Sequence, residues 1–478
     1  MVDRSVLKEV LDAALGRGGE FADIFLEERQ STTVSLEDGR VERVQLGLDK
    51  GAGVRVLSEE STAYAYTNDL SREGLLRAAD TAARAVKGNG QIKVCDLRVE
   101  AAGTRPMECW VPDGEPVPLE EKVAVVTTAD KAARTVDKTI KQVMAGYGDV
   151  VQRVTVANSE GVFVEDNRSR LRFTVQAVAS EGAVIQTGFE ALGSTAGFTA
   201  AFQERPPEEI ARVAAQRAAA LVHAQPAPAG RMPVVLAGEA GGTMVHEACG
   251  HGLEADLVQK GLSVYGGKKG EAVAAPEITI IDDATLPGKY GSYRFDDEGV
   301  RARPVVLIEN GCLMDFLYDR RTAGKEGRES NGHGRRESYQ HKPIPRMANT
   351  YIAPGKVPPE EIIREVKSGF LVKKMGGGQV NTTNGDFVFE VAEGYVIQDG
   401  DVGRLVRGAT LTGNGPEVLK KVALVGRDQG FTIGTCGKDG QGVPVSDAQP
   451  TLLVPELVIG GTGGGKSLGD RPLGSVHG

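Results

Sequence analysis

The chain has 478 residues, 40% of them hydrophobic and 25% charged, which is the composition of a globular protein large enough for two or three hydrophobic cores. Its 56 basic and 65 acidic residues give a formal charge of -9, so the chain as a whole does not attract nucleic acid or an anionic membrane. Its five cysteines are scattered and odd in number, which argues against a disulfide framework and favours a reducing cytoplasm.

The N-terminal segment is amphipathic. Residues 6–15, VLKEVLDAAL, have the apolar spacing of a helix and carry acidic residues within it, unlike the uninterrupted apolar core of a signal peptide. No run of eighteen apolar residues occurs along the sequence, so we expect no transmembrane span and no membrane partner.

Residues 1–223 show the pattern of an N-terminal domain made of two sheet-plus-helix units, at about 1–100 and 117–223. In the first, the alternating run TTVSLEDGRVERVQLGL, with a hairpin signal at Asp38-Gly39, precedes the helical segment SREGLLRAADTAARAVK. In the second, the helix LEEKVAVVTTADKAARTV is followed by four predicted strands and the helix PEEIARVAAQRAAALVHA. Those strands are QRVTVAN, GVFVED, RLRFTVQAVA and AVIQTGFEAL. The repeated order indicates a possible internal duplication.

The segment AQPAPAG, residues 224–230, breaks this pattern and predicts a linker. From Arg231 to the end, short strands alternate with turns such as Asn310-Gly311 and Asp399-Gly400. We therefore predict an α+β protein whose C-terminal domain, residues 231–478, is a largely antiparallel sheet or barrel with a few helices.

Residues 460–467 match G-x-x-x-x-G-K-S, the pattern of a phosphate-binding loop. Such a loop joins a strand to a helix whose N-terminus faces the phosphates. The following residues, LGDRPLGSVHG, have no helical apolar spacing and contain a proline. This favours a flexible glycine-rich tail over a nucleotide site.

The residue types of a catalytic metal site are concentrated in GEAGGTMVHEACGHGLEAD. His246, Glu247 and His251 form H-E-x-x-x-H, which is the zinc-peptidase pattern H-E-x-x-H with one extra residue. In a regular helix, residues five apart diverge by about 140°, so the two imidazoles could not face one metal. We expect either a π-bulge or an unwinding at Gly250 to bring them together.

A catalytic zinc ion needs three protein ligands and an open position. Spacing alone leaves four candidates for the third ligand, and Cys249 is better explained as a buried core thiol. The candidates are Cys249, Glu254, Asp256 and Cys436. The glycines on both sides of Cys436 would let its backbone approach a metal, and the neighbouring Lys438 could favour the thiolate.

Five blocks of the sequence resemble the TldD/PmbA family of metallopeptidases, and in particular its metal-bearing TldD branch. They are HEACGHGLEAD, GRRESYQHKPIPRMANTYIAPGK, KKMGGGQVNTTNGDFVFEVAEGYVI, VRGATLTGNG and TCGKDGQGVPVSDAQPTL. The resemblance implies a zinc site made by His246, His251 and Cys436, with Glu247 as the catalytic acid/base that activates a zinc-bound water. It also implies a cytoplasmic peptidase that admits short or unfolded peptides to a cavity between two subunits, either as a homodimer or with a PmbA-like partner.

Two questions stay open at the level of sequence. The first is the group that stabilises the oxyanion, for which the candidates are Arg335, Arg336, Tyr339 and His341. The second is the class of function, because proteins of this family have also been called modulators of DNA gyrase. Residues 320–346 hold eight Lys/Arg and three Glu, but they lack the interleaved aromatic residues of nucleic-acid sites. We expect no nucleic-acid partner; a regulatory binding protein and a metal-bearing scaffold are the alternatives.

Overall fold

The computed structural model describes residues 2–58, 61–86, 97–99 and 117–461. Long strands and helices share these ranges, so the predicted α+β class is confirmed. None of the helices in these ranges combines the length and the hydropathy that crossing a bilayer requires. Most of the Gly-Lys-Ser segment, from residue 462 onward, lies outside the described residues.

The strands of both predicted N-terminal units belong to one seven-stranded sheet. They are β1 (Phe21–Glu37), β2 (Arg40–Leu57), β3 (Thr62–Thr67), β4 (Arg98–Val99), β5 (Ile140–Asn158), β6 (Val162–Glu181) and β7 (Val184–Ser194). The helices of this half are α1 (Arg4–Leu15), α2 (Arg72–Ala85), α3 (Leu119–Arg134), α4 (Phe198–Glu204) and α5 (Pro207–His223).

The order β3-β2-β1-β5-β6 runs across this sheet, and β4 and β7 both pair with β6. The two units meet where β1 pairs antiparallel with β5, from Asp23 opposite Asn158 to Glu37 opposite Met144. The segments GVFVED and RLRFTVQAVA, predicted as two strands, form the single strand β6. The polar residues between them remain extended because they continue the pairing with β5, from Asp166 opposite Val154 to Arg170 opposite Val150. The Arg168 side chain bonds to Asp166 and to Asp297 in the C-terminal half.

The two faces of this sheet have different partners. Alternate residues such as Ile24, Val34 and Val54 are apolar and pack against α1, α2, α3 and α5. On the opposite face, Phe25 packs with Phe295 and with other buried residues of both halves. The helices therefore cover one face and the C-terminal half covers the other.

A group of buried ion pairs also joins the halves; we call it the Arg55 network (Asp23, Arg55, Arg168, Asp297 and Glu298). Arg55 Nε lies 2.8 Å from Asp23 Oδ2, and its Nη1 lies 2.7 Å from Glu298 Oε1. Arg168 Nη1 lies 2.5 Å from Asp297 Oδ1. All five residues are buried.

The C-terminal half is built mainly of short strands. They are β8 (Gln225–Pro226), β9 (Gly230–Leu236), β10 (Ile280–Asp283), β11 (Pro304–Glu309), β12 (Cys312–Leu313), β13 (Gly334–Arg335), β14 (Ile344–Pro345), β15 (Asn349–Ile352), β16 (Ser368–Val380), β17 (Asp386–Gln398), β18 (Asp401–Arg407), β19 (Ala409–Asn414), β20 (Leu424–Val425), β21 (Gly430–Lys438), β22 (Gln441–Gln449) and β23 (Leu452–Gly460). Its helices are α6 (Thr243–Val245), α7 (Ala255–Gln259), α8 (Arg320–Lys325), α9 (Pro359–Arg364) and α10 (Gly415–Lys421).

Most of these strands belong to a barrel and a second sheet, while β13 and β14 pair with each other. The pairings β16-β9-β23-β19-β17 return to β16, which closes a ring of five strands. The second sheet has the order β12-β11-β10-β15-β22-β21, so β21 is an edge strand. The turn that follows α6 contacts β15 of the second sheet and β16 and β17 of the barrel, and therefore lies between the two.

The predicted hairpin turns are confirmed at three places. Asp38-Gly39, Asn310-Gly311 and Asp399-Gly400 all have positive φ angles at both residues, which is the conformation that Asn-Gly and Asp-Gly pairs adopt readily in two-residue hairpins. Asp439-Gly440 forms a fourth such turn between β21 and β22, and it fixes the strand that carries Cys436.

Candidate metal centre

The H-E-x-x-x-H segment contains the first of the two predicted distortions. Residues His246–Gly250 form one π-helical turn between α6 and a 3₁₀ turn at His251–Leu253. The backbone N–H of His251 donates to the carbonyl of His246, which is the i→i+5 bond of a π-helix. The extra residue between the histidines is absorbed by this wider turn.

Small residues allow the turn to pack closely. A Cβ atom at Gly250 would lie 2.1 Å from Met347 Sδ, and one at Gly242 would lie 2.2 Å from the backbone nitrogen of Ala448. The turn is therefore seated against buried side chains and backbone that are distant in sequence. This packing fixes the direction in which the imidazoles point.

The side chains of His246, His251 and Cys436 converge. One ligand atom from each lies within 4.8 Å of the others, and Cys436 Sγ is 3.4 Å from His251 Nε2. The two imidazole planes are perpendicular, with ring centroids 5.0 Å apart. The thiol comes from the edge strand β21, so two segments separated by almost 200 residues build this group.

Each of the two imidazoles is hydrogen-bonded to a carboxylate through its Nδ1 atom. His246 Nδ1 bonds to Asp447 Oδ1 at 2.7 Å, and His251 Nδ1 bonds to Glu254 Oε2 at 3.0 Å. Lys438 Nζ lies 3.1 Å from the same Glu254 oxygen. This arrangement fixes the rings and leaves both Nε2 atoms for a metal. Sequence reasoning missed Asp447, which has no recognisable spacing from the histidines.

The electrostatics of the group favour a thiolate. Burial opposes ionisation of Cys436, but the charged imidazoles of His246 and His251 outweigh it and lower the thiol pKa to about 5. Burial likewise opposes the charge of His251, but Glu254 raises its pKa to about 9. A thiolate is the form of cysteine that binds a metal.

The other candidates for a third ligand have different contacts. Cys249 Sγ donates to the carbonyl of Val245 at 3.2 Å, and burial raises the pKa of its thiol. The Glu254 carboxylate bonds to Nδ1 of His251, and Asp256 Oδ1 lies 2.6 Å from Lys438 Nζ. Lys438 therefore acts on these carboxylates, whereas sequence reasoning suggested an effect on the thiol itself.

The donor set suits a zinc ion. With Zn–S of about 2.3 Å and Zn–N of about 2.0–2.1 Å, a tetrahedral site places sulfur and nitrogen about 3.6 Å apart. The observed separation of Cys436 Sγ from His251 Nε2, 3.4 Å, is close to this value. Among the described residues, this is the one group of three or more His, Cys, Asp or Glu side chains that converges tightly enough to bind a metal.

Glu247 faces a large cavity beside the three residues. The cavity has a volume of about 1330 Å³ and is lined by β7 of the N-terminal half and by β21, as well as by His246, His251 and Cys436. No hydrogen bond or ion pair joins the Glu247 carboxylate to any described residue, and burial raises its pKa. A half-buried carboxylate of this kind is available to accept a proton.

The four candidate oxyanion donors are absent from the cavity lining described here. Arg335 is buried and donates to the carbonyl of Pro444, and Arg336 donates to that of Asp297. Tyr339 and His341 lie in the same segment, where Tyr339 packs against the N-terminal sheet. Arg336 and Tyr339 bond to Tyr64 and Glu27 of the N-terminal half, whereas Arg335 bonds within the C-terminal half. These contacts favour a structural role for the three side chains.

Three models of one protein family match the sequence in succession. They are described as PmbA/TldA metallopeptidase domain 1, at residues 22–86, the central domain, at 112–222, and the C-terminal domain, at 229–461. The resemblance inferred from the five sequence blocks is thereby confirmed.

Curated relatives match along nearly their whole length. A Haemophilus influenzae protein named metalloprotease TldD homolog is 35% identical over 466 residues, covering 95% of this chain and 96% of its own. A Methanothermobacter thermautotrophicus protein named metalloprotease is 37% identical over 461 residues, covering 96% and 98%. A Saccharolobus solfataricus protein named zinc metalloprotease TldD homolog is 27% identical over 445 residues, covering 93% and 97%.

Two solved structures share the fold. One, from Thermotoga maritima and described as a modulator of a DNA gyrase, has a TM-score of 0.79 and 25% identity, with coverage of 95% of this chain and 99% of its own. The other, TldE from Thermococcus kodakarensis, has a TM-score of 0.75 and 20% identity, with coverage of 95% and 99%.

Proposed function

Because the chain belongs to the PmbA/TldD family of metallopeptidases, we propose that it hydrolyses short or unfolded peptides with a zinc ion held by His246, His251 and Cys436. The observation that carries this proposal is the convergence of the three ligand atoms within 4.8 Å, beside a carboxylate that faces a cavity. A relative named zinc metalloprotease supports the choice of metal. The thiolate ligand must stay reduced, which favours the cytoplasm.

Glu247 is the acid/base in this proposal. Zinc, when bound, supplies Lewis acidity that polarises a peptide carbonyl and makes water a better nucleophile at neutral pH. Glu247 accepts a proton from the attacking water and returns it to the leaving amine. Its carboxylate is suited to this because it has no partner among the described residues and burial raises its pKa. Asp447 and Glu254 keep the two imidazoles oriented throughout.

The substrate binds in extended form along the open edge of β21. Ser446 on β22 donates its N–H to Ala348, away from β21, so the residue opposite it, Ile433, makes no ladder bond with β22. By the same alternation Thr435 also directs its backbone groups toward the open edge, and both residues line the cavity. Main-chain pairing of this kind gives affinity with little dependence on side chains, so cleavage is broad in sequence.

Substitution of Glu247 tests the chemistry. Glu247→Gln keeps the shape of the side chain and removes the base, so we expect the rate of peptide cleavage to fall about 10²–10⁴-fold while zinc content stays that of the wild type. Zinc is measured by elemental analysis, and cleavage on a mixed peptide library. Unchanged cleavage by Glu247→Gln would contradict the proposal and favour a metal-bearing scaffold.

Methylation of peptide nitrogens tests the binding mode. Two versions of a good substrate are made, one N-methylated at its odd-numbered residues and the other at its even-numbered residues. Only one of these two sets of N–H groups faces β21, so only one version should show a strongly raised KM. The other version is the matched control. Equal effects of the two versions on KM would exclude strand pairing and would leave the proposed role of Glu247 unaffected.

The requirement for unfolded chains is tested with one small domain in two forms. The proposal holds that a second subunit, either a copy of this chain or a PmbA-like protein, helps to enclose the cavity. A stable domain should therefore resist cleavage, and a core-truncated variant of it should be cut, because opening the fold costs free energy before entry. Equal rates of cleavage inside both cores would show that the site is open.

One observation favours a second candidate, the gyrase-modulator type of regulatory protein, namely the likeness to the Thermotoga maritima structure described as a modulator of a DNA gyrase. The basic segment 320–346 gives it little support, because its charges are largely engaged. Arg320 pairs with Glu160 at 2.8 Å and Arg328 with Asp315 at 2.6 Å, while Arg346 is fully buried. Salt-dependent retention on immobilised DNA at physiological ionic strength would favour this alternative.

A further inference from the structure

Arg346, in the basic segment 320–346, is a charged residue that the proposed chemistry does not use. Its side chain is fully buried, and it makes no ion pair with a carboxylate of any described residue. A buried charge without a counter-ion is strongly unfavourable unless its hydrogen bonds and surroundings compensate for the lost water. The groups that its guanidinium contacts therefore indicate what it does.

The guanidinium of Arg346 bonds to both strands of the hairpin that carries Cys436. Its Nη2 donates to the carbonyl of Cys436 on β21, and its Nη1 donates to the carbonyl of Gln441 on β22 at 3.2 Å. These two strands are joined by the turn at Asp439-Gly440. One buried side chain thus holds together the end of the hairpin at which the thiol lies.

Packing is loose at this end of the hairpin. A Cβ atom at Gly437, the residue after Cys436, would meet no atom of the described residues within 4 Å, and the same holds at Gly440. Lys438 is held through its side chain, which bonds to the carbonyl of Pro345 at 3.0 Å. In addition to the ladder of the hairpin itself, the hydrogen bond from Arg346 therefore fixes the backbone of Cys436.

The next residue, Met347, packs against the turn that carries the two histidines. A Cβ atom at Gly250 would lie 2.1 Å from Met347 Sδ, so the thioether lies directly against the π-helical turn His246–Gly250. Residues 346 and 347 together therefore contact both segments that carry the proposed ligands, although His251 and Cys436 lie 185 positions apart in the sequence.

The backbone that presents Arg346 is itself fixed in the interior. The N–H of Arg346 donates to the carbonyl of His333 at 3.0 Å, and the N–H of Ala348 donates to a carboxylate oxygen of Asp282 at 3.0 Å. Arg335 donates through its side chain to the carbonyl of Met347. Arg346 therefore reaches the hairpin from a rigid support, which a residue that orients a ligand requires.

The charge of Arg346 also acts on the groups around the metal centre. Burial raises the pKa of Glu254, but the charges of Lys438, His251 and Arg346 outweigh burial and lower this pKa to about 2. Glu254 is the carboxylate that orients His251. The negative charges of Glu254 and of the Cys436 thiolate thus surround Arg346 at longer range and compensate for the lack of a direct ion pair.

We propose that Arg346 is a positioning residue of the metal centre. It holds the carbonyl of Cys436, so that the thiol stays beside the two imidazoles, and it adds a positive charge to a site rich in anionic groups. Its planar guanidinium donates to two carbonyls in fixed directions, which the single ammonium of a lysine does not reproduce. The inference rests on the proposed function, since it assumes that His246, His251 and Cys436 bind a metal.

The zinc affinity of Arg346 variants tests this role. Arg346→Met removes the charge and both hydrogen bonds and keeps an unbranched apolar side chain. We expect the dissociation constant for zinc, measured by competition with a chromophoric chelator, to rise about 10–100-fold. Arg346→Lys keeps the charge without the paired hydrogen bonds, so its value should lie between those of the wild type and Arg346→Met. Wild-type affinity in Arg346→Lys would contradict the positioning role.

Arg336→Met is the matched control. Arg336 is also buried and also donates to a carbonyl, that of Asp297, but none of its hydrogen bonds reaches a segment that carries a proposed ligand. Its zinc dissociation constant should equal that of the wild type. An equal loss of affinity in Arg336→Met and Arg346→Met would show a general effect of lost stability and would overturn the proposal.

Cobalt(II) in place of zinc separates positioning from folding. The absorption band of a thiolate bound to cobalt reports the bond between Cys436 and the metal, and it is compared per bound cobalt ion at saturation. We expect this band to shift or weaken in Arg346→Met and to stay unchanged in Arg336→Met. An unchanged band, or an unchanged zinc affinity, in Arg346→Met would overturn this inference alone, whereas a wild type that binds neither metal would contradict the proposed function.

Discussion

The candidate metal centre, formed by His246, His251 and Cys436 beside Glu247, and the Arg55 network are both buried and rich in charge, but their geometry differs. In the metal centre, two imidazole nitrogens and a thiol converge on one point, and the unpaired carboxylate of Glu247 faces a cavity of about 1330 Å³. In the Arg55 network, cations and carboxylates alternate and bond to one another, and none of its five residues lines that cavity.

The difference shows what separates a candidate active site from a structural ion cluster. Opposite charges that neutralise each other leave little capacity for a ligand, whereas several electron-pair donors facing one point can bind a cation. Burial and shifted pKa values occur in both places, since Cys436 and Asp319 near Arg55 are both perturbed. The direction in which the donors point is therefore the more informative property.

The largest expected effect comes from removing a donor of the metal centre. Cys436→Ser replaces the thiolate by a hydroxyl that does not ionise near neutral pH, so we expect zinc affinity to fall by at least about 100-fold, as for His246→Ala, and peptide cleavage with it. Cys312→Ser, at a free thiol in strand β12, is the control. Full zinc occupancy in the Cys436→Ser protein would remove Cys436 from the site.

Breaking the Arg55 network should affect stability instead. Arg55→Ala leaves Asp23 and Glu298 buried without their cation, so we expect a loss of about 3–5 kcal/mol in the free energy of unfolding. The exposed pair of Arg17 and Asp80 is the control, where Arg17→Ala should cost about 0–1 kcal/mol. Denaturant unfolding measures both, and equal effects would mean that the network does not hold the halves together.

The free energy of unfolding should also depend on pH, because a carboxyl group near Arg55, that of Asp319, has a shifted pKa. Burial, followed by the nearby carboxylate of Glu298, raises the pKa of Asp319 to about 6, above its value of 3.8 in the unfolded chain. The folded state therefore binds this proton more tightly, and the stabilisation it gives is present below about pH 4 and is lost as the pH rises through about 6. The size is about 1.4 kcal/mol for each pKa unit of difference.

Asp319→Asn should remove this part of the pH dependence. The Asp319 side chain caps helix α8 by accepting a hydrogen bond from the backbone N–H of Thr322. The side-chain oxygen of asparagine can accept the same bond, so we expect the helix to be retained. Unfolding free energies of both proteins between pH 4 and 8 supply the measurement, and identical pH profiles would show that Asp319 does not titrate in this range.

The smallest effect is expected at Lys466, which belongs to neither cluster. The sequence predicts no phosphate site in residues 460–467, so Lys466→Ala should leave zinc content, stability and peptide cleavage unchanged. ATP binding is measured by isothermal titration calorimetry. Micromolar affinity in the wild type that disappears in Lys466→Ala would show that this stretch is a nucleotide site.

Much of the fold follows from local patterns. The helices at Arg4–Leu15 and Leu119–Arg134 lie where the apolar spacing predicts them, because that spacing is a property of each segment alone. Hairpins form at the Asn-Gly and Asp-Gly pairs for the same reason. By contrast, the joining of two sets of strands into one sheet depends on the pairing of β1 with β5, between residues more than a hundred positions apart, and no local pattern specifies it.

The sequence by itself determined the chemistry that this protein has available. The histidines, Glu247 and Cys436 are identifiable from residue type, spacing and family resemblance, and the extra residue in H-E-x-x-x-H already requires a wider turn. Only the tertiary structure decided which groups orient them and which are excluded. Asp447 reaches His246 because β22 pairs beside β21, and Arg336 bonds to Tyr64 of the N-terminal half. Such contacts join distant segments, and their geometry is set by packing and strand pairing, which residue spacing does not encode.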